Sequence, residues 1–374
     1  MKAQEYFNPK KARVIAYYLP QYHPIPENDE WWGKGFTEWT NVARAKPLFK
    51  RHYQPRIPAD LGFYDLRLPE VREAQAEMAR NAGIEGFCYW HYWMGNGRML
   101  LERPFKEVLE SGQPDFSFCL GWANHSWTTK TWEKGQHFQR DTMIMEQLYP
   151  GVEDYTNHFY YVLPAFKDKR YITVDDMPIF TIFEPLDIPD VKDFIGLWKK
   201  LAVENGLKGI HFVGLRKGRK SSMQQLLDAG YDAINSRNTW HAEAAIAGSK
   251  LKRRLITLLS WKMGGLTLQK YEYKDVIKNL GTEDDYKINA YPTIIPGFDR
   301  TARAGRRALI YHHVTPELFG KHVEDILKYV ENKLDEHKII FLTSWNEWGE
   351  GNYIEPDLKY GHQFLDELKK RLTV

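Results

Sequence analysis

The feature that most constrains the fold is a recurrence of apolar runs, each of strand length and each followed by polar, helix-like sequence. Eight are readable: Ala12–Leu19, Ile84–Tyr92, Phe116–Ala123, Pro178–Glu184, Gly209–Leu215, Tyr231–Asn235, Tyr291–Pro296 and Ile339–Ser344. Most are continuous rather than alternating, as expected for strands covered on both faces. Amphipathic stretches at 69–82, 155–167, 190–205, 222–229 and 316–334 lie between them. Strand–helix alternation predicts a parallel sheet. Eight such units within 374 residues predict a closed (β/α)8 barrel of the TIM type, one domain over 1–374 with long βα loops. A doubly wound open sheet is the alternative. No Gly-x-Gly-x-x-Gly or Walker-type loop follows any run, which counts against nucleotide-binding versions of it.

Two connections are long. Residues 21–66 are rich in Pro, Trp and Tyr, and a loop of that length in a compact domain is usually functional. Residues 236–290 form an expected insertion or lid between the sixth and seventh strands. Within it, the basic, apolar stretch 250–263 reads either as a helix packed on the barrel or as a peripheral contact with a membrane surface or a partner.

The net charge of +3 is too small to argue for nucleic acid or an anionic membrane surface. Aromatic residues reach 14%, and many of the 13 Trp stand beside Asn, His, Glu or Gly, which favours a lined cleft over a purely aliphatic core. Cys88 and Cys119 fall inside expected strands and read as buried free thiols. The first ten residues show no apolar signal region, and no stretch reaches the length of a membrane span, so a cytoplasmic location is expected unless a leader was removed.

In a barrel of this type, residues just beyond the strand C-termini share one face. The polar and aromatic clusters lie at those positions. The expected substrate contacts are Tyr18, Gln21 and His23 after the first strand, with Trp39 in the loop beyond. Trp90 and His91 close the second strand, Trp122, Asn124, His125 and Trp127 the third, and Glu184 the fourth. Asn346 and Trp348 follow the eighth. Aromatic faces with amide, imidazole and carboxylate partners suit a carbohydrate, whose C–H faces stack and whose hydroxyls hydrogen-bond. An oligo- or polysaccharide is therefore the expected partner.

Glycoside cleavage needs a proton donor and a second carboxylate, and Glu347 and Glu350 are the best-placed pair. In an extended strand residues three apart point to opposite faces, so the chain must turn at Trp348-Gly349 to bring both into one cleft. Glu38 is a reserve carboxylate. Asp299-Arg300 and Arg303 read as a group bracing the cleft wall. His23, His91, His125, His137 and His312-His313 lack metal-ligand spacing, so no metal is expected, and no cofactor motif is present.

The longer motifs carry a resemblance. Residues 16–29, 32–42, 60–67 and 86–93, with Trp122-Ala-Asn124 and Trp345-Asn-Glu-Trp-Gly-Glu-Gly351, look like the WbsX family, which is labelled glycosyltransferase and accompanies polysaccharide biosynthesis genes. Ile354-Glu355-Pro356 continues the match and adds Glu355 to the expected substrate contacts. The C-terminal motif also resembles the endo-α-mannosidases of glycoside hydrolase family 99, metal-independent barrels that retain anomeric configuration. That resemblance implies Glu347 as a base on the substrate's own 2-hydroxyl and Glu350 as the acid/base residue. His125 stands where many relatives have Glu, and no His-x-Glu-Pro-type stretch follows the third strand. The expected activity is hydrolysis of an α-linked glycan. The alternatives are transfer during O-antigen or capsule assembly, and non-catalytic glycan binding.

Overall fold

The computed structural model describes residues 11–128, 142–217, 221–262 and 268–373. Eight strands form the barrel: β1 (Arg13–Tyr18), β2 (Gly86–Trp93), β3 (Ser117–Trp122), β4 (Met177–Ile182), β5 (His211–Lys217), β6 (Ala233–Arg237), β7 (Ala290–Ile294) and β8 (Ile339–Leu342). Each pairs in parallel with the next, and β8 returns to β1 in a register running from Arg13–Ile339 to Ala16–Leu342. Closure removes both sheet edges. The protein is thus a (β/α)8 barrel, and every expected apolar run overlaps one of its strands, with ends that differ by one or more residues.

The continuous apolar character has a direct cause. Strand β8, Ile-Ile-Phe-Leu, is buried along its whole length because the barrel interior covers one face and helices the other. Those helices are Pro69–Asn81, Val152–Phe166, Val191–Glu204, Met223–Asp228 and Pro316–Leu327. The last begins where Thr315 accepts from the Leu318 amide and Pro316 occupies the first turn. It stops at Leu327, short of the expected 334. Val330 is still fully buried beyond the helix end, so its apolar signal belongs to the turn that follows.

The barrel interior is partly polar. Tyr17 stacks on Trp90 with ring centroids 4.5 Å apart, and its hydroxyl donates to Asn235 Oδ1 at 2.9 Å. Cys88 and Cys119 are register partners of β2 and β3, both free and buried. After β1, the long connection carries helices Pro26–Trp32 and Glu38–Arg44. After β6, helices Thr239–Ile246 and Lys250–Lys262 lead to a short strand, Gln269–Glu272, paired in parallel with Leu309–His312. This region has a small core of its own around Tyr271, Tyr273, Val276 and Tyr311. Among the described residues no helix is long and apolar enough to cross a membrane; residue 263 of the basic stretch lies outside them.

Candidate active site

Beyond β8 the chain makes a tight hairpin. Asn346–Glu347 pairs antiparallel with Asn352–Tyr353, and a 3-10 turn over Trp348–Glu350 joins them. The turn carries Glu347 and Glu350 to the same cleft. Asn346 locks the hairpin onto the end of β1, accepting from Leu19 N at 2.7 Å and donating to Leu19 O at 3.0 Å. Tyr22 donates to the Asn346 carbonyl at 2.5 Å and accepts from the Trp348 amide at 3.1 Å. Trp348 stacks on Tyr353, centroids 3.6 Å apart, and its indole N–H donates to Glu355 at 2.6 Å. Gly349 matters for space: a Cβ there would lie 2.2 Å from Glu38 Oε2 and 2.8 Å from Arg303 Nε.

Those two atoms belong to the centre of the site. Arg303 donates from Nη1 to Glu350 Oε1 at 2.8 Å and from Nη2 to Glu347 Oε1 at 2.5 Å. Its Nε donates to Glu38 Oε1 at 3.0 Å, and Nη2 also bonds Glu38. Arg300 Nε lies 3.1 Å from Glu350 Oε1. Three carboxyl groups thus gather around one guanidinium. Glu38 is fully enclosed, whereas Glu347 and Glu350 keep 14% and 19% side-chain exposure, enough to face the cleft.

The carboxyls are driven apart in acidity. Burial raises Glu347 and Arg303 opposes the rise, but Glu350 and Glu38 add to it, and the group stands at about 8. Burial acts in the same sense on Glu350, yet Arg300, Arg303 and Arg237 outweigh it and lower the carboxyl to about 2. Burial also raises Glu38, against the pull of Arg303. Three carboxyls face Arg300, Arg303 and Arg237, so charge alone demands no bound proton; burial and the neighbouring carboxyls favour one on Glu347, and Glu350 is the last place for it.

The cleft around this cluster encloses about 300 Å³. Its lining includes Tyr17, Gln21, Trp32, Trp90, Tyr92, His125, Trp127, Phe183, Arg237, Arg300, Arg303, Glu347 and Glu350. Of the expected contacts it therefore gathers Gln21, Trp90, His125 and Trp127 beside the two glutamates. The Gln21 side-chain Nε2 is buried and has no hydrogen-bond partner among the described residues. Arg237, the last residue of β6, lines the cleft, and its charge acts on Glu347 and Glu350. A second cavity, about 190 Å³, lies behind the hairpin against Tyr53, Arg56, Asp299 and Tyr353 and holds neither Glu347 nor Glu350.

The other expected contacts do not line this cleft. Tyr18 points out of the barrel and donates to Gln75 Oε1 at 2.6 Å; its neighbour Tyr17 takes the inward position. His91 faces His158, ring nitrogens 2.8 Å apart, and Trp122 donates to the Trp93 carbonyl at 2.9 Å. His23 bonds the Pro20 carbonyl, and burial lowers it to about 4. Trp39 donates to the Tyr64 carbonyl and packs on Trp348. Asn124 ties the ends of β3 and β4 through Glu184 N and O, while the Glu184 carboxylate takes Lys217 at 2.8 Å. Glu355, raised to about 7 chiefly by burial, is consumed by Tyr64, Gln75 and Trp348. Asn346 and Trp348 hold the hairpin and do not line the cleft.

Asp299 bonds His52, accepts from Gln54 and Thr301, and lines the second cavity rather than the cleft. Arg303 belongs instead to the carboxylate cluster. Among the described residues no three or more His, Cys, Asp or Glu gather to hold a metal ion, and His137 lies outside those residues.

Residues 14–368 match the family model described as glycosyltransferase WbsX. A protein named uncharacterized protein WxcX, from Xanthomonas campestris pv. campestris strain ATCC 33913, is 32% identical over 363 residues, 97% of this chain and 50% of its own. Its counterpart from strain B100 is 31% identical over 364 residues, with the same coverage of both chains. The chain spans about half the length of these curated relatives. A glycoside hydrolase-like protein superposes with a TM-score of 0.58 at 14% identity, over 97% of this chain and 94% of that one. The family GH99 endo-alpha-mannosidase from Bacteroides thetaiotaomicron, in complex with BIS-TRIS-propane, gives 0.55 at 14% identity, over 96% and 98%. At that identity the likeness is one of fold.

Proposed function

The chain belongs to the WbsX glycosyltransferase family, and from that premise we propose a glycan-active enzyme that cleaves an α-linked glycosidic bond with Glu347 and Glu350. One observation carries this reading: two carboxyls of opposed acidity face a single aromatic cleft. Such a division is what glycoside cleavage requires.

Sugar rings bind with their C–H faces against Trp90 and Trp127, and Gln21 Nε2 supplies a donor to a hydroxyl. Glu347, protonated at neutral pH, gives its proton to the leaving oxygen as the bond from the anomeric carbon breaks. Glu350, ionised between Arg300 and Arg303, acts as the base on the opposing nucleophile. That nucleophile is the substrate's own 2-hydroxyl in the retaining course that the family 99 resemblance implies, with water completing the second step. The resemblance implies the reverse roles for the two glutamates. We favour the assignment above because a general acid must carry its proton before the reaction, and two arginines hold Glu350 without one.

A transferase is the second reading, favoured by the family's description. The two separate in one assay. The protein is incubated with α-linked polysaccharides in water, and in parallel with nucleotide- and lipid-diphosphate sugars plus acceptor. New reducing ends without donor support hydrolysis. Diphosphate release coupled to glycan growth, with no cleavage in water, would sink it.

A further inference from the structure

The helix Lys250–Lys262 leaves the cleft end of β6 within the long connection. Its sequence, Lys-Leu-Lys-Arg-Arg-Leu-Ile-Thr-Leu-Leu-Ser-Trp-Lys, contains five basic residues and no acidic one. One side is tied to the preceding helix, Thr239–Ile246. Arg253 donates from Nε to Glu243 Oε2 at 2.8 Å and lies over the Trp240 ring at 5.3 Å.

The opposite side carries a stripe of leucines. Leu251, Leu255, Leu258 and Leu259 are 67%, 51%, 49% and 52% exposed. At 3.6 residues per turn these positions fall on one face, and exposed Lys252 and Arg254 flank it on either side. A row of four leucines pointing to solvent is not core packing, and contiguous exposed apolar surface of this kind marks an interaction face.

We infer that this helix is an interfacial anchor that lays its leucine stripe into the surface of an anionic lipid bilayer. The charge pattern selects the occupant. Basic side chains on both flanks of an apolar stripe match anionic headgroups surrounding acyl chains, with Lys252 and Arg254 reaching outward along the interface. A protein groove would need acidic rims on both sides. No spanning helix exists among the described residues, so the contact is peripheral.

The test uses the full chain in flotation with phosphatidylcholine vesicles, with and without phosphatidylglycerol. Wild type floats with the anionic vesicles, and added salt releases it. K252E/R254E lowers the partition at least about tenfold, as does L255Q/L258Q through loss of apolar contact. Circular dichroism and thermal melting verify that each variant is folded. Cleavage of a soluble oligosaccharide is unchanged in L255Q/L258Q. Wild type that stays down with anionic vesicles overturns the inference, and so does flotation undiminished in L255Q/L258Q. Self-association abolished by L255Q/L258Q, without lipid binding, assigns the stripe to a second copy and also overturns it.

Discussion

The guanidinium of Arg303 rests on the carboxylate of Glu38, which reaches it from a helix 265 positions earlier in the chain and has no exposed side-chain surface. That contact fixes the guanidinium plane, and the plane then directs Nη1 to Glu350 and Nη2 to Glu347. Glu38 is thus a positioning residue for the pair. The long connection after β1 delivers it, together with Gln21 and Trp32 of the cleft lining.

Removing Glu38 leaves a buried cation short of a partner. Glu38→Ala is expected to lose about 3–5 kcal/mol of stability in denaturant titrations, together with most turnover. A loss below about 1 kcal/mol would show that Glu38 is not held as a buried ion-pair partner.

Gly349 is expected to tolerate no side chain. Its missing Cβ is the space occupied by Glu38 and Arg303, so Gly349→Ala must displace one of them. The expected cost is about 1–3 kcal/mol, with a fall in kcat larger than any change in binding. Unchanged melting temperature and kcat would mean that the cluster yields freely.

The opposed carboxyls predict the pH behaviour. Glu347 binds its proton more tightly in the folded state, so its contribution to stability is full below the ordinary 4.5 and is lost as pH rises through about 8. Glu350 is the reverse: its contribution is present above 4.5 and is lost as pH falls toward about 2. Turnover is expected to fall above about pH 8 as Glu347 loses its proton. The Arg237 charge holds Glu347 down, so Arg237→Gln moves that limb to higher pH. A pH–rate profile in which the limb stays put or moves down contradicts this account.

The barrel was legible because strands buried on both faces read as unbroken apolar runs. The same property hid which way each side chain points. Tyr17 and Tyr18 are adjacent, aromatic and buried alike, and only the register sends one to the cleft and the other to Gln75. For the same reason the sequence does not show that His91 and Trp122 lie outside the cleft lining. Glu347 and Glu350 stood out because they interrupt an apolar strand end with Trp on either side. Arg303 did not. It lies beyond the end of β7, and its role depends on Glu38 from the helix Glu38–Arg44, a tertiary relation with no local mark.

The most direct test of the acid–base division compares Glu347→Gln and Glu350→Gln on an intact α-linked glycan and on an aryl glycoside whose leaving group needs no proton. Both variants are expected to lose roughly 10²–10⁴ in kcat/KM on the glycan. Glu347→Gln alone should recover most of its rate on the aryl glycoside, as fits a missing proton donor. Recovery confined to Glu350→Gln would reverse the two roles, and undiminished glycan turnover in either variant would remove that glutamate from the mechanism.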